Sequence, residues 1–169
     1  VVDRIRTHRP VGAQLSGGLD SGSVVSFAAK ALKAENKQLH TYSYVPLKDF
    51  EDWTPRNRIA DERPYIKETI QYVGNIQEKF MDFEGKSPYT EIDDWLNIYE
   101  MPYKFCENSY WMKGVYEEAA RDHLGIILYG ARGNWSISWG PALDFQANLL
   151  KKMKLIKFYK VINEYSDNI

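Results

Sequence analysis

The segment AQLSGGLDSGSVV, residues 13–25, places two adjacent glycines between an apolar run and a helical pattern. Val11 to Leu15 has the composition of a short buried strand. Beyond the glycines, apolar residues recur at the i, i+3, i+4, i+7 spacing of an amphipathic helix, at Val25, Ala28, Ala29 and Leu32. A strand that turns through glycines directly into a helix is typical of the opening unit of an α/β domain.

The rest of the chain continues this alternation. Strands are predicted at Leu39–Val45, Lys79–Phe83 and Ile126–Tyr129, and helices from Asp61 to Gly74, at Ile92–Ile98 and at Asn108–Leu124. The charged stretch 46–64 carries three prolines and is predicted to be an exposed loop. The pattern predicts an α/β fold, a doubly wound parallel sheet with helices on both faces. The glycine segments 16–22 and 130–134 then meet at the carboxyl edge of the sheet, where such folds bind ligands.

Composition limits the classes of partner. The chain has 169 residues, enough for one domain, and its 22 Lys and Arg against 23 Asp and Glu give a formal charge of -1. No global basic field is present to attract nucleic acid, and no run of about 18 apolar residues is present to span a membrane. We therefore expect neither a nucleic-acid partner nor a membrane partner. Cys106 is the single cysteine, which excludes an internal disulfide and favours a reducing, cytoplasmic location.

The glycine loop predicts a phosphate ligand. Gly17 and Gly18 let the backbone amides approach an anion, and the positive end of the following helix dipole adds to this attraction. Ser16 and Ser21 can donate hydroxyl hydrogen bonds to phosphate oxygens. Asp20 would repel a phosphate unless a cation lay between them, so this residue implies Mg²⁺. The loop lacks the lysine of a Walker A motif and the spacing of a dinucleotide motif.

The SGGLDS string resembles the pyrophosphate-binding loop of the ATP pyrophosphatases. Four later segments extend the likeness: LHTYSYVP, DERPYIKETIQYVG, Glu100-Met101-Pro102 and GIILYGARGN. Together they are similar, in order and spacing, to the synthetase domain of the glutamine-hydrolysing asparagine synthetases, over about residues 9–150. The resemblance implies an adenine nucleotide alpha hydrolase-like fold, and it implies that residues 1–169 are one ATP-binding synthetase domain.

The resemblance also implies an activity and its partners. Family members use ATP and Mg²⁺ to adenylate a carboxylate, and ammonia or another amine then displaces AMP to form an amide. The expected partners are ATP, a small carboxylate or peptide substrate, and an upstream glutaminase domain that supplies ammonia. The sequence does not begin with Met, and we expect it to be part of a longer chain that contains this upstream domain.

Site residues carry over from the family position by position. The pyrophosphate and metal roles fall to Ser16, Gly17, Gly18, Asp20 and Ser21, with Asp20 as the metal ligand. The nucleotide-pocket candidates are Tyr44, Val45, Tyr129 and Gly130. Arg132 is a candidate for stabilising developing phosphate charge, although a solvent-facing arginine on a loop is an equally ordinary interpretation.

The second loop departs from the family. Asparagine synthetases have Ser-Gly-Glu-Gly-x-Asp-Glu there, whereas this chain has YGARGNW over residues 129–135. Ala131 replaces the first acid and cannot act as a base, Asn134 replaces the metal aspartate with a weaker oxygen ligand, and Trp135 replaces the last acid.

These losses leave the acceptor substrate open. Trp135 and Trp139 could line a larger pocket, so we expect a carboxylate other than aspartate, as in relatives that close β-lactam rings or cyclise lasso peptides. The alternative is a catalytically degenerate ATP-binding domain with a regulatory or scaffold role. A tRNA-thiolating enzyme is disfavoured, because that chemistry needs a pair of cysteines.

Three further residues have a structural interpretation as well as a functional one. Glu62 could seat substrate or metal, but an acid is also favoured at the start of a helix. Glu100 lies beside Pro102, which fixes the turn there, and is the better acidic candidate. Trp111 falls at helical spacing and is interpreted as a core residue.

Overall fold

A computed structural model describes residues 1–55, 58–104, 106–133 and 140–166 of the chain. Its four strands are β1 (Val11–Gln14), β2 (Leu39–Tyr44), β3 (Ile76–Met81) and β4 (Ile126–Leu128). Its helices are α1 (Leu19–Ala34), α2 (Arg63–Val73), α3 (Ile92–Tyr99), α4 (Ser109–Arg121), α5 (Ala142–Lys151) and α6 (Leu155–Ser166). The described residues also form two short 3-10 turns, Val2–Arg4 and Cys106–Asn108.

The strands form one sheet in the order β3-β2-β1-β4, and every neighbouring pair is parallel. The chain moves outward from β1 to β3 and then returns to the other side of β1 to form β4. This reversal places a topological switch point between β1 and β4, where doubly wound folds bind their ligands. The predicted α/β, doubly wound fold is confirmed.

Helices cover both faces of this sheet. On one face, α1 and α2 pack on alternate residues of β1, in a cluster that includes Val11, Ala13, Leu32 and Ile66. On the other face, α4 packs through Val115 and Ala119 against Tyr42 of β2. β4, with the sequence IIL, is apolar throughout and partly buried, as is common for strands of a parallel sheet that is covered by helices.

Glycine allows a close contact on the second face. A Cβ on Gly12 of β1 would lie 2.3 Å from Cδ1 of Leu124 and 3.2 Å from Cε2 of Tyr42. The residue leading into β4 therefore packs directly on the backbone of the central strand. This close packing helps to hold β4, and the loop that follows it, beside β1.

Several predicted boundaries differ from those of the structure, most clearly in the third strand and the fourth helix. The third strand begins at Ile76, three residues before the predicted start, because Ile76 pairs with Leu39 and Gln77 with His40 at the edge of the sheet. An edge strand exposes polar residues, so its first half carries no apolar signal. The fourth helix ends at Arg121, before the predicted Leu124, and His123 adopts a left-handed conformation with φ 55°.

The helical pair α5 and α6 lies outside these two cores. The basic segment KKMKLIKFYK, residues 151–160, runs from the end of α5 into α6. In the structure no residue of α6 is buried, and Ile156 is 90% exposed. None of the helices in the described ranges combines the length and apolar character needed to cross a membrane.

We predict that Leu32→Ala destabilises the full chain by about 2–5 kcal/mol, because Leu32 is 1% exposed in the core under α1 and its loss leaves a cavity. Chemical denaturation followed by circular dichroism measures this change. The control is Leu143→Ala on α5, where Leu143 is 69% exposed and a change within about 0.5 kcal/mol is expected. Equal effects of the two substitutions would contradict the assignment of this core.

Candidate active site

The glycine loop, residues 15–18, connects β1 to α1 at the switch point. The amide of Leu15 still donates to the carbonyl of Tyr42 at 3.0 Å, so the chain stays in the sheet until the loop begins. Gly18, in an extended conformation with φ -82° and ψ 152°, precedes the first residue of α1, and no side chain caps that helix start. The first amides of a helix have no partner within it, so the turn beginning at Leu19 presents donors at the carboxyl edge of the sheet.

Two serines brace the loop from inside. The Ser21 hydroxyl accepts from the Ser16 amide at 3.1 Å and lies 3.2 Å from the carbonyl oxygens of both Ser16 and Gly18. The Ser16 hydroxyl is 2.9 Å from that of Ser21 and accepts from the Gly18 amide at 3.3 Å. Ser21 is buried while Ser16 is exposed. In this arrangement Ser21 shapes the loop from its buried side, and Ser16 is the exposed residue of the pair.

Glu62 supplies the remaining contact of the loop. Its Oε2 accepts from the Gly17 amide at 3.0 Å, across 45 residues of sequence. Glu62 immediately precedes α2, but its carboxylate makes no capping hydrogen bond to that helix. Asp61 performs that task, since its Oδ1 accepts from the Arg63 amide at 3.0 Å. The carboxylate of Glu62 therefore binds the glycine loop and makes no capping hydrogen bond to α2, although the residue lies at the start of that helix.

The second glycine loop packs directly on the first. The amide of Gly133 donates to the carbonyl of Gly130 at 3.1 Å, which closes a turn over residues 130–133. A Cβ on Gly130 would lie 2.5 Å from the Ser21 amide nitrogen, and one on Gly133 would lie 2.3 Å from Cγ of Asp20. Only glycine allows this approach at both positions. The two segments that the sequence predicted to meet are thus in contact.

Asp20 lies between these loops, close to Gly133 of the second. Its Oδ1 is buried and accepts no hydrogen bond from the described residues. A buried carboxylate oxygen without a donor is costly unless a cation or ligand satisfies it. Mg²⁺ is commonly held by one or two carboxylates together with substrate phosphates, so Asp20 fits that ion. No group of three His, Cys, Asp or Glu that could hold a metal by itself occurs in the described part of the chain.

A cavity of about 480 Å³ opens on these groups. It is lined by parts of both loops, by the ends of β1 and β2 and by two other side chains, namely Gln14, Leu15, Ser16, Gly18, Asp20, Ser21, Tyr44, Glu62, Trp111, Tyr129, Gly130, Ala131 and Arg132. Arg132 is the basic residue among them, and it adopts a left-handed conformation with φ 67°. A non-glycine residue in that region is strained and occurs most often at functional sites.

Aromatic rings form one wall of this cavity. Tyr44 stacks on Trp111 with ring centroids 5.8 Å apart and planes 10° apart, and its hydroxyl is 2.7 Å from that of Tyr110. Tyr129 packs edge-on against Tyr116, and burial raises the pKa of the Tyr129 hydroxyl. Trp111 packs on the core and also lines the cavity. Helical spacing identified only the first of these roles, because a side chain at the edge of a core has the same spacing as one inside it.

The remaining predicted residues lie elsewhere. Val45 is 5% exposed and its amide donates to the carbonyl of Met81, so it continues the strand pairing. Its role as a nucleotide contact stays a prediction. Glu100 is exposed in a left-handed conformation at the end of α3 and does not line the cavity. The predictions for Asn134, Trp135 and Trp139 lie outside the described residues.

The fold and this site together define the class, a doubly wound α/β domain whose glycine loop opens a helix at the topological switch point. The family described as asparagine synthase matches residues 1–134. The chain belongs to the asparagine synthase family, whose members use ATP. It is also 33% identical, over 159 residues and 90% of its length, to a protein of Methanocaldococcus jannaschii named Putative asparagine synthetase 2 (glutamine-hydrolyzing). The chain spans 28% of the length of that relative.

We predict that Gly130→Ala destabilises the full chain by about 1–3 kcal/mol, because the added methyl group would overlap the backbone of Asp20 and Ser21. Urea denaturation measures the change. Gly140→Ala is the matched control, since a Cβ at that position meets nothing within 4 Å. If the two substitutions cost the same, the contact between the loops is not made as described.

Proposed function

We propose that this chain is the ATP-binding synthetase domain of a carbon–nitrogen ligase that adenylates a carboxylate and then transfers the acyl group to ammonia or another amine. Membership of the asparagine synthase family supports ATP-dependent ligase chemistry in general. The observation that carries the specific proposal is that the buried Oδ1 of Asp20, beside the glycine loop, has no hydrogen-bond partner in the part of the chain that the structure describes. A carboxylate placed there suits a magnesium-bound triphosphate and would repel a free one.

The loop end of the cavity would hold the pyrophosphate. The amides of the first turn of α1 and the positive end of its dipole face the cavity edge, and the exposed Ser16 hydroxyl can donate beside them. Asp20 would hold Mg²⁺, which neutralises phosphate charge as the leaving group departs. Arg132 borders the same space and can stabilise negative charge at the reacting phosphorus.

The aromatic wall would hold the adenine. Tyr44 is the last residue of β2, in the segment that the resemblance implies for the nucleotide pocket, and Trp111 extends the stacked surface beside it. Tyr129 and Gly130 line the cavity from the opposite side, where the second loop begins. Aromatic faces bind a base without needing a matched set of hydrogen bonds, so this wall positions the nucleotide while the loop positions its phosphates.

The reaction then proceeds in two displacements. A carboxylate oxygen of the substrate attacks the α-phosphorus of ATP, and the bond to the bridging oxygen of the β-phosphate breaks to release pyrophosphate. The amine nitrogen next attacks the acyl carbon, the bond to AMP breaks, and the amine loses a proton. Ala131 lines the cavity where asparagine synthetases have an acid, so this chain offers no carboxylate there to accept that proton.

The proposal also includes the acceptor substrate and the source of ammonia. The altered second loop supports a carboxylate or peptide substrate other than aspartate. The relative from M. jannaschii is named as glutamine-hydrolysing, and we propose that a glutaminase domain of the same protein supplies the ammonia. Assaying a panel of carboxylates for AMP release tests the substrate, and release with free aspartate alone would contradict the proposal.

We predict that Asp20→Asn lowers carboxylate-dependent exchange of labelled pyrophosphate into ATP by about 100-fold, because the neutral amide neither holds Mg²⁺ nor balances its charge. The exchange assay measures adenylation alone and does not depend on the amine. Asp49→Asn, an equal charge change on the exposed 46–64 loop, is the control and should leave the exchange unchanged. Full exchange by the Asp20 variant would refute the assigned role.

We also predict that Trp111→Ala weakens ATP binding by about tenfold, because loss of a ring stacked beside a base costs about 1–3 kcal/mol. Isothermal titration calorimetry with ATP and, separately, with pyrophosphate separates the two ends of the site. Pyrophosphate affinity should stay the same in this variant. Phe27→Ala, at an exposed position of α1 away from the wall, is the control.

A second candidate is an ATP-binding domain without turnover, which regulates or supports a partner. The substitution that favours it is Ala131, which lines the cavity in place of an acid. Calorimetry that detects binding of magnesium-bound ATP, combined with no exchange or AMP release for any carboxylate, would select this candidate over the ligase.

A further inference from the structure

Besides Asp20 of α1, Glu62 is an acidic side chain that borders the cavity, and it comes from neither glycine loop nor α1. Its carboxylate accepts from the Gly17 amide at 3.0 Å and also lines the cavity beside Ser16 and Gly18. An amide of an anion-binding loop thus donates to a carboxylate of the protein itself. A phosphate ligand at this loop would therefore bind beside a carboxylate of the protein.

The surroundings leave the charge of Glu62 uncompensated. Arg63 is the adjacent cation, but its guanidinium pairs with Asp61 at 2.7 Å. No ion pair to Glu62 occurs among the residues that the structure describes. Glu62 therefore brings a full negative charge to the loop in addition to its hydrogen bond.

A carboxylate and a phosphate oxygen compete for the same kind of site, since both are anionic acceptors of backbone N–H groups. Like charges that share a cavity also repel each other, and the repulsion is strongest where water is partly excluded. We propose that the Glu62 carboxylate acts as a built-in anion of the glycine loop, which lowers the affinity of the loop for pyrophosphate and so favours release of that product. This inference rests on the proposed function, because it takes pyrophosphate as the ligand of the loop.

Two substitutions separate this role from simple support of the loop. Glu62→Gln keeps an oxygen that can accept from the Gly17 amide and removes the charge. Glu62→Ala removes both the charge and the acceptor, and frees the amide for a ligand. Competition predicts tighter pyrophosphate binding in both variants. Support of the loop predicts unchanged binding for the first variant and weaker binding for the second.

The experiment is isothermal titration calorimetry of the full chain with inorganic pyrophosphate in the presence of Mg²⁺, and in parallel with adenosine. We expect Glu62→Gln to bind pyrophosphate about tenfold more tightly than the unsubstituted chain while adenosine affinity stays unchanged. The matched control is Glu68→Gln, the same charge change at an exposed position of α2, with an expected change below about twofold. Unchanged or weaker pyrophosphate binding by Glu62→Gln would overturn the proposal.

The pyrophosphate exchange assay keeps this inference distinct from the proposed function. If the unsubstituted chain catalyses exchange but Glu62→Gln binds pyrophosphate no more tightly, only the role of Glu62 is rejected. If pyrophosphate binding responds to Glu62 as expected but no carboxylate supports exchange, the ligase activity is rejected and the role of Glu62 stands. If pyrophosphate binds to none of the variants, both proposals are rejected.

Discussion

The contact between the two glycine loops is the constraint on which the site depends. Gly130 and Gly133 lie so close to the start of α1 that a methyl group on either would overlap Asp20 or Ser21. This approach is possible because β4 pairs with β1 in parallel register and delivers its loop to the same edge. The contact covers the Asp20 carboxylate, and a covered carboxylate interacts with a cation more strongly than one in open water. The sheet order thus determines the electrostatics of the cavity.

The hydrogen bonds of the first glycine loop show how this loop can keep a stable conformation and still bind a ligand. The amides of residues 16, 17 and 18 donate to Ser21, Glu62 and Ser16, so none is left without an acceptor. All three acceptors are side-chain oxygens. Side chains can rotate away from a donor at modest cost, whereas a peptide carbonyl held in a sheet or helix cannot. The loop therefore has a defined conformation of its own, and a ligand could exchange with these acceptors without unfolding it.

The sequence was informative where the pattern of neighbouring residues determines the secondary structure. Gly17 and Gly18 between an apolar run and a helical pattern predicted the strand, loop and helix, and alternation along the chain predicted the parallel sheet. The sequence was least informative where contacts between distant segments determine the structure. The start of β3 has no apolar pattern because the edge of a sheet does not require one. Glu62 looked like a helix-start acid, and its contact with Gly17 depends on how α2 packs beside α1, which no local spacing encodes.

The proposed function requires the cavity to bind a triphosphate although the second loop lacks the acids of the family. The lining residues carry two carboxylates, Asp20 and Glu62, and one guanidinium, Arg132. Loss of the family's acids in the second loop weakens the hold on a cation, but it also removes repulsion toward a triphosphate, and Arg132 in the same turn shifts the balance further. Glu62 opposes that shift from a separate element. In the proposed reaction, a site that attracts the triphosphate must also release pyrophosphate, and an acid that competes for the loop meets this second requirement without occupying the covered position of Asp20.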